Sequence, residues 1–89
     1  MTRAERTALS LIQSIADAGF VRFTEHAVEE MIDEHATAGE VLDTIEFADS
    51  CEIQVNDRFR IECEALSLIV VVELRDDVVV VTVFGRTSR

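Results

Sequence analysis

Two nearly continuous apolar runs constrain what this chain can fold into more than any other feature. Twelve of the fourteen residues in Leu68–Leu74 and Val78–Phe84 are apolar, and most of them are β-branched. Runs of this length and composition are typical of β-strands that are covered on both faces. Three polar residues at positions 75–77 separate them and predict a turn. The sequence therefore predicts a central hairpin whose sheet is shielded on both sides.

Two shorter strands are predicted before that hairpin. Cys51–Val55 and Phe59–Cys63 alternate apolar and polar residues, which indicates one buried and one solvated face. Directly opposed residues of an antiparallel pair share a face, so a three-residue loop at 56–58 fits the pattern and a two-residue loop does not. The expected pairs are Val55 with Phe59, Ile53 with Ile61, and Cys51 with Cys63.

Helical spacing of apolar residues fills the first half of the chain. Capping boxes are predicted where a threonine is followed three residues later by a glutamate, at Thr2 and at Thr37, and Gly19 is a natural helix stop. Thr24 is a further candidate cap. The predicted helices are Thr2–Ala18, Glu25–His35 and 37–48, and the apolar stripe of the second consists of Ala27, Val28, Met31 and Ile32.

These elements predict a single α+β domain over residues 1–89. An N-terminal helix at 1–19 precedes an α+β core at 20–84 and a tail at 85–89. Two to three helices are expected on one face of a four-stranded antiparallel meander. The first helix, a second copy of the chain or a partner protein must then cover the other face. The predicted partner-binding residues on that face are Ile69, Val71, Val79, Val81 and Val83, or their neighbours one position along.

The charge balance narrows the class of partner. The sequence contains eighteen acidic residues and eight basic ones, all of them arginine, so its formal net charge is −10. Binding to a phosphate backbone requires a positive field, so only a local arginine cluster would allow nucleic acid to bind. No apolar run approaches the length of a membrane helix, no secretory signal is evident, and two cysteines do not form a disulfide framework. We therefore expect a cytoplasmic protein without a membrane partner.

His26 is the first candidate for chemistry. It begins the second predicted helix beside Glu25, with Glu29 and Glu30 one turn further on. A histidine flanked by carboxylates can act as a general base. The alternative is a solvated helix terminus, where acidic residues suit the helix dipole.

The solvated face of the first predicted hairpin carries the second candidate group, Arg58, Arg60 and Glu62. Arginine can stabilise a phosphorane-like transition state while a neighbouring carboxylate moves a proton. The alternative is a set of exposed cross-strand ion pairs, which contribute little to stability.

No cofactor or metal site is predicted. His26 and His35 lie about 900° apart around an ideal helix and so point to opposite sides. Cys51 and Cys63 are expected to be small buried hydrophobes. The sequence contains no glycine-rich phosphate loop and no nucleophile elbow.

The segment Phe23–Met31 (FTEHAVEEM) resembles an uncharacterised bacterial family whose members carry a Thr-x-His-Ala-x-x-Arg-Met motif. The closing segment Val80–Phe84 also resembles that family, so the likeness covers about residues 20–84. The family is similar to the RelE/ParE/BrnT group of small toxins. The resemblance implies a toxin-like fold, ribonuclease activity and an antitoxin partner, with His26 as the motif histidine and Arg58 and Arg60 as the strand arginines. At the position of the motif arginine this chain has Glu30.

Three functions are therefore expected as alternatives. The first is a toxin-like domain that acts through protein contacts, either with itself or with an antitoxin-like partner. The second is a ribonuclease toxin using His26, Arg58, Arg60 and Glu62. The third is an acidic inhibitor of a basic or nucleic-acid-binding protein, in which the carboxylates of residues 25–34 mimic nucleic acid.

Overall fold

The structure, a computed structural model, describes residues 1–86, and positions 87–89 of the predicted tail lie outside them. Three helices and one five-stranded mixed sheet confirm the α+β class. The helices are α1 (Arg3–Asp17), α2 (Glu25–Asp33) and α3 (Ala38–Glu46), and the strands are β1 (Val21–Phe23), β2 (Ser50–Ile53), β3 (Arg58–Glu62), β4 (Leu68–Leu74) and β5 (Val78–Gly85).

The helix ends follow local sequence rules. At the start of α1 the Thr2 hydroxyl accepts a hydrogen bond from the Glu5 N–H at 3.1 Å, and Glu5 Oε1 accepts one from the Thr2 N–H at 2.8 Å. The same reciprocal pair opens α3 at Thr37. After α1, Gly19 adopts a φ of 91°, the left-handed conformation that ends a helix and that glycine adopts without strain. The predicted caps are confirmed.

The sheet has the order β1-β5-β4-β3-β2. Strands β2 to β5 pair antiparallel with their neighbours in the chain, as the two predicted hairpins require. A fifth strand, β1, joins them in parallel through pairs such as Val21 with Val78. At three residues, β1 is too short to show a strand period, so the sequence does not reveal its place in the sheet.

The predicted register of the first hairpin is wrong by two residues. Cys51 lies opposite Ile61 and not opposite Cys63, and Ile53 lies opposite Phe59. The loop has the expected three residues but occupies 55–57, closed by a 2.7 Å bond from the Gln54 N–H to the carbonyl of residue 58. Asn56 and Asp57, with φ values of 64° and 58°, form this turn. Asparagine and aspartate tolerate the left-handed region, which sets the turn one residue earlier than expected.

A β-bulge in the second hairpin changes which residues face the helices. Val71 pairs with Thr82, whereas Val72 pairs with Val80, so Val81 is an extra residue. Beyond it the alternation reverses, and Val83 lies fully buried in the core beneath the helices. The predicted placement of Val83 on the opposite face is therefore corrected.

All three helices pack on one face of the sheet. Helix α1 therefore does not cover the second face, which was one of the expected solutions. The buried residues of the core on this first face are Leu9, Ile12, Ala27, Met31, Val41, Ile45, Cys51, Ile61, Leu68, Val70, Val72, Val78, Val80 and Val83.

Glutamates from the helices bind backbone donors near both edges of the sheet. Glu5 of α1 accepts a hydrogen bond from the Ile53 N–H on the outer edge of β2 at 3.1 Å. Glu30 of α2 accepts one from the Val83 N–H on β5, beyond the end of β1, at 3.0 Å. Backbone bonds first from Thr2 and then from Ile53 hold the pKa of the Glu5 carboxyl below its usual value. The Ile53 donor on the edge of β2 and the Val83 donor beyond the end of β1 are therefore not free to pair with another strand.

Candidate functional site

The second face of the sheet has a valine and isoleucine floor that is already covered within the chain. Ile69, Val71, Val79 and Val81 are only 1%, 6%, 3% and 8% exposed. Phe84 packs against the three valines. A molecule that approaches this face therefore meets an outer layer of other side chains before it reaches the floor.

That outer layer is made of arginine–carboxylate pairs. Glu73 Oε2 lies 3.0 Å from Arg58 Nε, and its Oε1 lies 2.9 Å from Arg75 Nη2. Arg75 and then Arg58 hold the pKa of the Glu73 carboxyl below its usual value. On β1, Arg22 pairs with Asp77 at 3.0 Å. Arg58 and Arg75 share Glu73, and Arg22 has Asp77, so three arginines are paired with two carboxylates on this part of the face.

Glu62 lies between two further arginines. Its Oε2 is 3.3 Å from Arg60 Nε, and its Oε1 is 3.7 Å from Arg86 Nη2. The Arg60 guanidinium also lies over the Phe84 ring, 5.6 Å from its centroid, at a distance typical of a cation–π contact. Within residues 1–86, the buried Nε atom of Arg86 has no hydrogen-bond partner, and the buried Nε atom of Arg60 has only its 3.3 Å ion pair with Glu62. Because both Nε atoms are buried, an oxyanion would have to displace neighbouring side chains to reach them.

The four residues predicted to act in catalysis do not meet in one place. Arg58, Arg60 and Glu62 project from β3 to the second face, as their alternation predicted. His26 lies on α2, with its Nε2 atom 3.3 Å from Glu30 Oε1, at the edge of β5. Strand β4 separates β5 from β3, which places those two strands about 10 Å apart. The arginines and Glu62 form one group, and His26 forms another.

A shallow open depression of about 320 Å³ adjoins Glu62. Asp49 Oδ2 at its rim accepts a hydrogen bond from the Glu64 N–H at 3.1 Å, and Arg86 donates to the Cys63 carbonyl at 2.9 Å. Three carboxylates and one arginine line it, which disfavours a phosphate. No cluster of histidine, cysteine and carboxylate side chains able to hold a metal ion occurs in the described part of the chain. The lining residues are Asp49, Ser50, Glu62, Glu64 and Arg86.

The two cysteines are structural. Both are free thiols, and Cys51 and Cys63 are 1% and 4% exposed. Burial, with Glu5 nearby as the second cause, raises the pKa of the Cys51 thiol. A thiol that stays protonated is a poor nucleophile, so Cys51 suits packing and not catalysis.

The helical layer exposes apolar surface that the sequence pattern assigned to the core. In the second predicted helix, Ala27 and Met31 are buried as expected. Val28 and Ile32 are 42% and 68% exposed. Helix α2 packs on β5, close to the edge of the sheet, so only one side of its wide apolar stripe reaches the core. Sequence reasoning missed this surface, although the glutamates beside Val28 and Ile32 were a signal of it.

This exposed pair lies in the most acidic part of the chain. Residues 25–49, which include α2 and α3, contain nine carboxylates and no lysine or arginine. Most of the arginines lie on the second face of the sheet or in its turns instead. Those nine carboxylates belong to Glu25, Glu29, Glu30, Asp33, Glu34, Glu40, Asp43, Glu46 and Asp49.

Comparisons with known families and known proteins give no further assignment. None of the helices in residues 1–86 is long and apolar enough to cross a membrane. No family model, curated protein or solved structure matches this chain.

Proposed function

We propose that this chain is a toxin-like protein-binding domain that contacts its partner through the outer side of α2. The observation that carries the proposal is the exposure of Val28 and Ile32, one helical turn apart on the same side. Single exposed apolar residues are common on protein surfaces. Two in a row along a helix are typical of a helix that docks into a groove or against another helix.

The proposed fold family is that of the RelE/ParE/BrnT toxins, with an antitoxin-like protein or a second copy as the partner. The support is a helical layer on one face of a sheet whose last four strands are antiparallel neighbours. The partner-binding role of Ile69, Val71, Val79 and Val81 stays a prediction. Phe84 and Arg60 would have to move before a partner reached those side chains.

Light scattering on the purified chain tests the proposal. The chain is run alone over a range of concentrations, and after co-expression with the products of the genes beside its own. We expect a complex of defined mass that is lost when Val28 and Ile32 are both replaced by serine. Leu11→Ser is the matched control, because Leu11 is 48% exposed on α1. A chain that stays monomeric throughout, or a complex that survives the double substitution, would refute the proposal.

A ribonuclease is the second candidate function. It is favoured by the common face of Arg58, Arg60 and Glu62 and by the Nε atom of Arg86, which has no hydrogen-bond partner within residues 1–86. Purified protein incubated with single-stranded RNA at low salt should then cut it, and Arg60→Ala should abolish cleavage. Intact RNA after incubation with the wild-type protein would reject this candidate. The third alternative is an acidic inhibitor of a basic protein. It would use the same carboxylate-rich helices as the proposed protein-binding domain.

A further inference from the structure

The outer side of α2 has a defined composition. Successive residues of an α-helix are about 100° apart, so Val28 and Ile32 lie about 40° from each other and form a continuous ridge. Carboxylates follow the ridge along one flank, and all of them are exposed. We call this surface the α2 ridge; it consists of Val28, Ile32, Glu25, Glu29 and Asp33.

The carboxylates of the ridge are not neutralised by any of the described residues. Within residues 1–86, Glu25, Glu29 and Asp33 form no salt bridge. The arginines that do form ion pairs are engaged with carboxylates of the sheet and its turns, and they are Arg22, Arg58, Arg60, Arg75 and Arg86. Among residues 1–86, therefore, no arginine pairs with a carboxylate of the ridge.

From the proposed function, on which this step rests, we infer that the α2 ridge binds a basic amphipathic helix of a partner protein. Such a helix has apolar residues three and four positions apart, flanked by lysine or arginine. Its apolar stripe covers Val28 and Ile32, and its long basic side chains reach the flanking carboxylates. Both features of the ridge, exposed apolar area and unmatched negative charge, are satisfied by this one partner.

Other occupants fit the charges poorly. A second copy of the chain brings another net charge of −10 and the same acidic ridge, so the two surfaces repel. Nucleic acid and the anionic face of a membrane repel the ridge for the same reason. Unlike these, a basic helix is steered to the ridge, and its association slows when salt screens the charges.

Synthetic peptides of about 18 residues, or five helical turns, test the inference directly. The first peptide places leucines along one side and lysines on the flanks. The second replaces its lysines with glutamates, and the third replaces its leucines with serines. Binding is measured by fluorescence anisotropy against the purified chain, with and without added salt. We expect only the leucine–lysine peptide to bind, and we expect its binding to weaken as salt is raised.

Two variants of the ridge separate its apolar and charged parts. One replaces Val28 and Ile32 with serine, and the other carries E25Q, E29Q and D33N. Because all five side chains are exposed, both variants should fold with an unchanged circular dichroism spectrum. Each should bind the leucine–lysine peptide about tenfold more weakly, the scale expected when anchoring contacts are lost.

A charge-matched control removes the same three charges far from the ridge. It carries E52Q, D57N and D76N, which neutralise exposed carboxylates on β2 and in two turns of the sheet. The control should bind within about twofold of the wild type. A control that loses as much affinity as the ridge variant would overturn the inference, because net charge alone would then explain binding. Equal binding of the serine–lysine peptide would overturn it as well.

The outcome also separates this inference from the proposed function. If serine at Val28 and Ile32 dissolves the complex seen by light scattering but the leucine–lysine peptide does not bind, α2 is a binding surface for a different partner. The protein-binding function then stands, and the basic partner is refuted. If the serine substitutions leave the complex intact and the leucine–lysine peptide does not bind, the proposed function and the basic partner are both refuted.

Discussion

Glu30 links helix α2 to strand β5, and replacing it tests how much this hydrogen bond stabilises the fold. The carboxylate accepts a 3.0 Å hydrogen bond from the Val83 N–H and lies 3.3 Å from His26 Nε2. Glu30→Ala leaves a partly buried backbone donor without its acceptor. A hydrogen bond to a charged group contributes about 1.5–3 kcal/mol, and a side chain that is 26% exposed should lie near the lower end. We expect a loss of about 1.5–2 kcal/mol in the free energy of unfolding.

Thermal unfolding and amide exchange measure this effect. For a domain of this size the expected loss lowers Tm by roughly 6–16 °C. The amide of Val83 should exchange faster in Glu30→Ala than in the wild type, because its acceptor is gone. Glu30→Gln keeps an acceptor oxygen in place and should cost about half as much.

Two controls isolate the hydrogen bond. Glu29→Ala changes the exposed neighbouring position on the same helix and should leave Tm unchanged. His26→Ala removes only the ion pair, at a histidine whose side chain is 66% exposed, and should cost less than about 0.5 kcal/mol. Equal Tm shifts for Glu30→Ala and Glu29→Ala, with an unchanged exchange rate of the Val83 amide, would refute a stabilising role for the hydrogen bond between Glu30 and Val83.

Three further experiments, with five substitutions between them, probe different parts of the fold. The backbone hydrogen bonds to Glu5 hold its pKa below the ordinary value of 4.5, so their contribution to the free energy of unfolding is complete above pH 4.5 and is lost as the pH falls through the lower folded-state pKa. Glu5→Gln should therefore make stability, measured by urea denaturation, fall less steeply as the pH is lowered. An unchanged fall in acid would contradict this. Val83→Ser should lower the free energy of unfolding by about 3 kcal/mol and Thr82→Ser by less than about 0.5 kcal/mol, whereas the reverse order in urea denaturation would argue against the bulge. Gly19→Ala should destabilise the fold by about 1 kcal/mol because the φ of Gly19 is 91°. Gly39→Ala should stabilise it by about 0.5 kcal/mol, because the new methyl group would lie 3.8 Å from its nearest neighbour. Melting temperatures that move in the same direction would refute this contrast.

The candidate site could be predicted from sequence only as separate pieces. Alternation placed Arg58, Arg60 and Glu62 on one face, since side chains along a strand point to opposite sides in turn. The strand order that sets His26 apart from them cannot be read from a local pattern. Arg86 falls in the predicted tail at 85–89, yet it lies beside Glu62 and donates to the Cys63 carbonyl. That contact joins distant parts of the chain, and no local pattern indicates it.

Sequence by itself determined the features that depend on neighbours along the chain. The capping boxes at Thr2 and Thr37, the stop at Gly19 and the strand Leu68–Leu74 follow from backbone donors and from periodicity, which act within a few residues. The tertiary structure decided what depends on distant partners. It added β1 to the sheet, moved the first turn by one residue, and introduced the bulge at Val81.

The same division explains the surface on which the function is proposed. The pattern of α2 showed a wide apolar stripe, and a stripe of four residues fits equally well with burial of either half or of the whole. Only the position of α2 on β5 decided that Ala27 and Met31 enter the core while Val28 and Ile32 face solvent. The amount of apolar surface was thus set by the sequence, and its availability to a partner was set by packing.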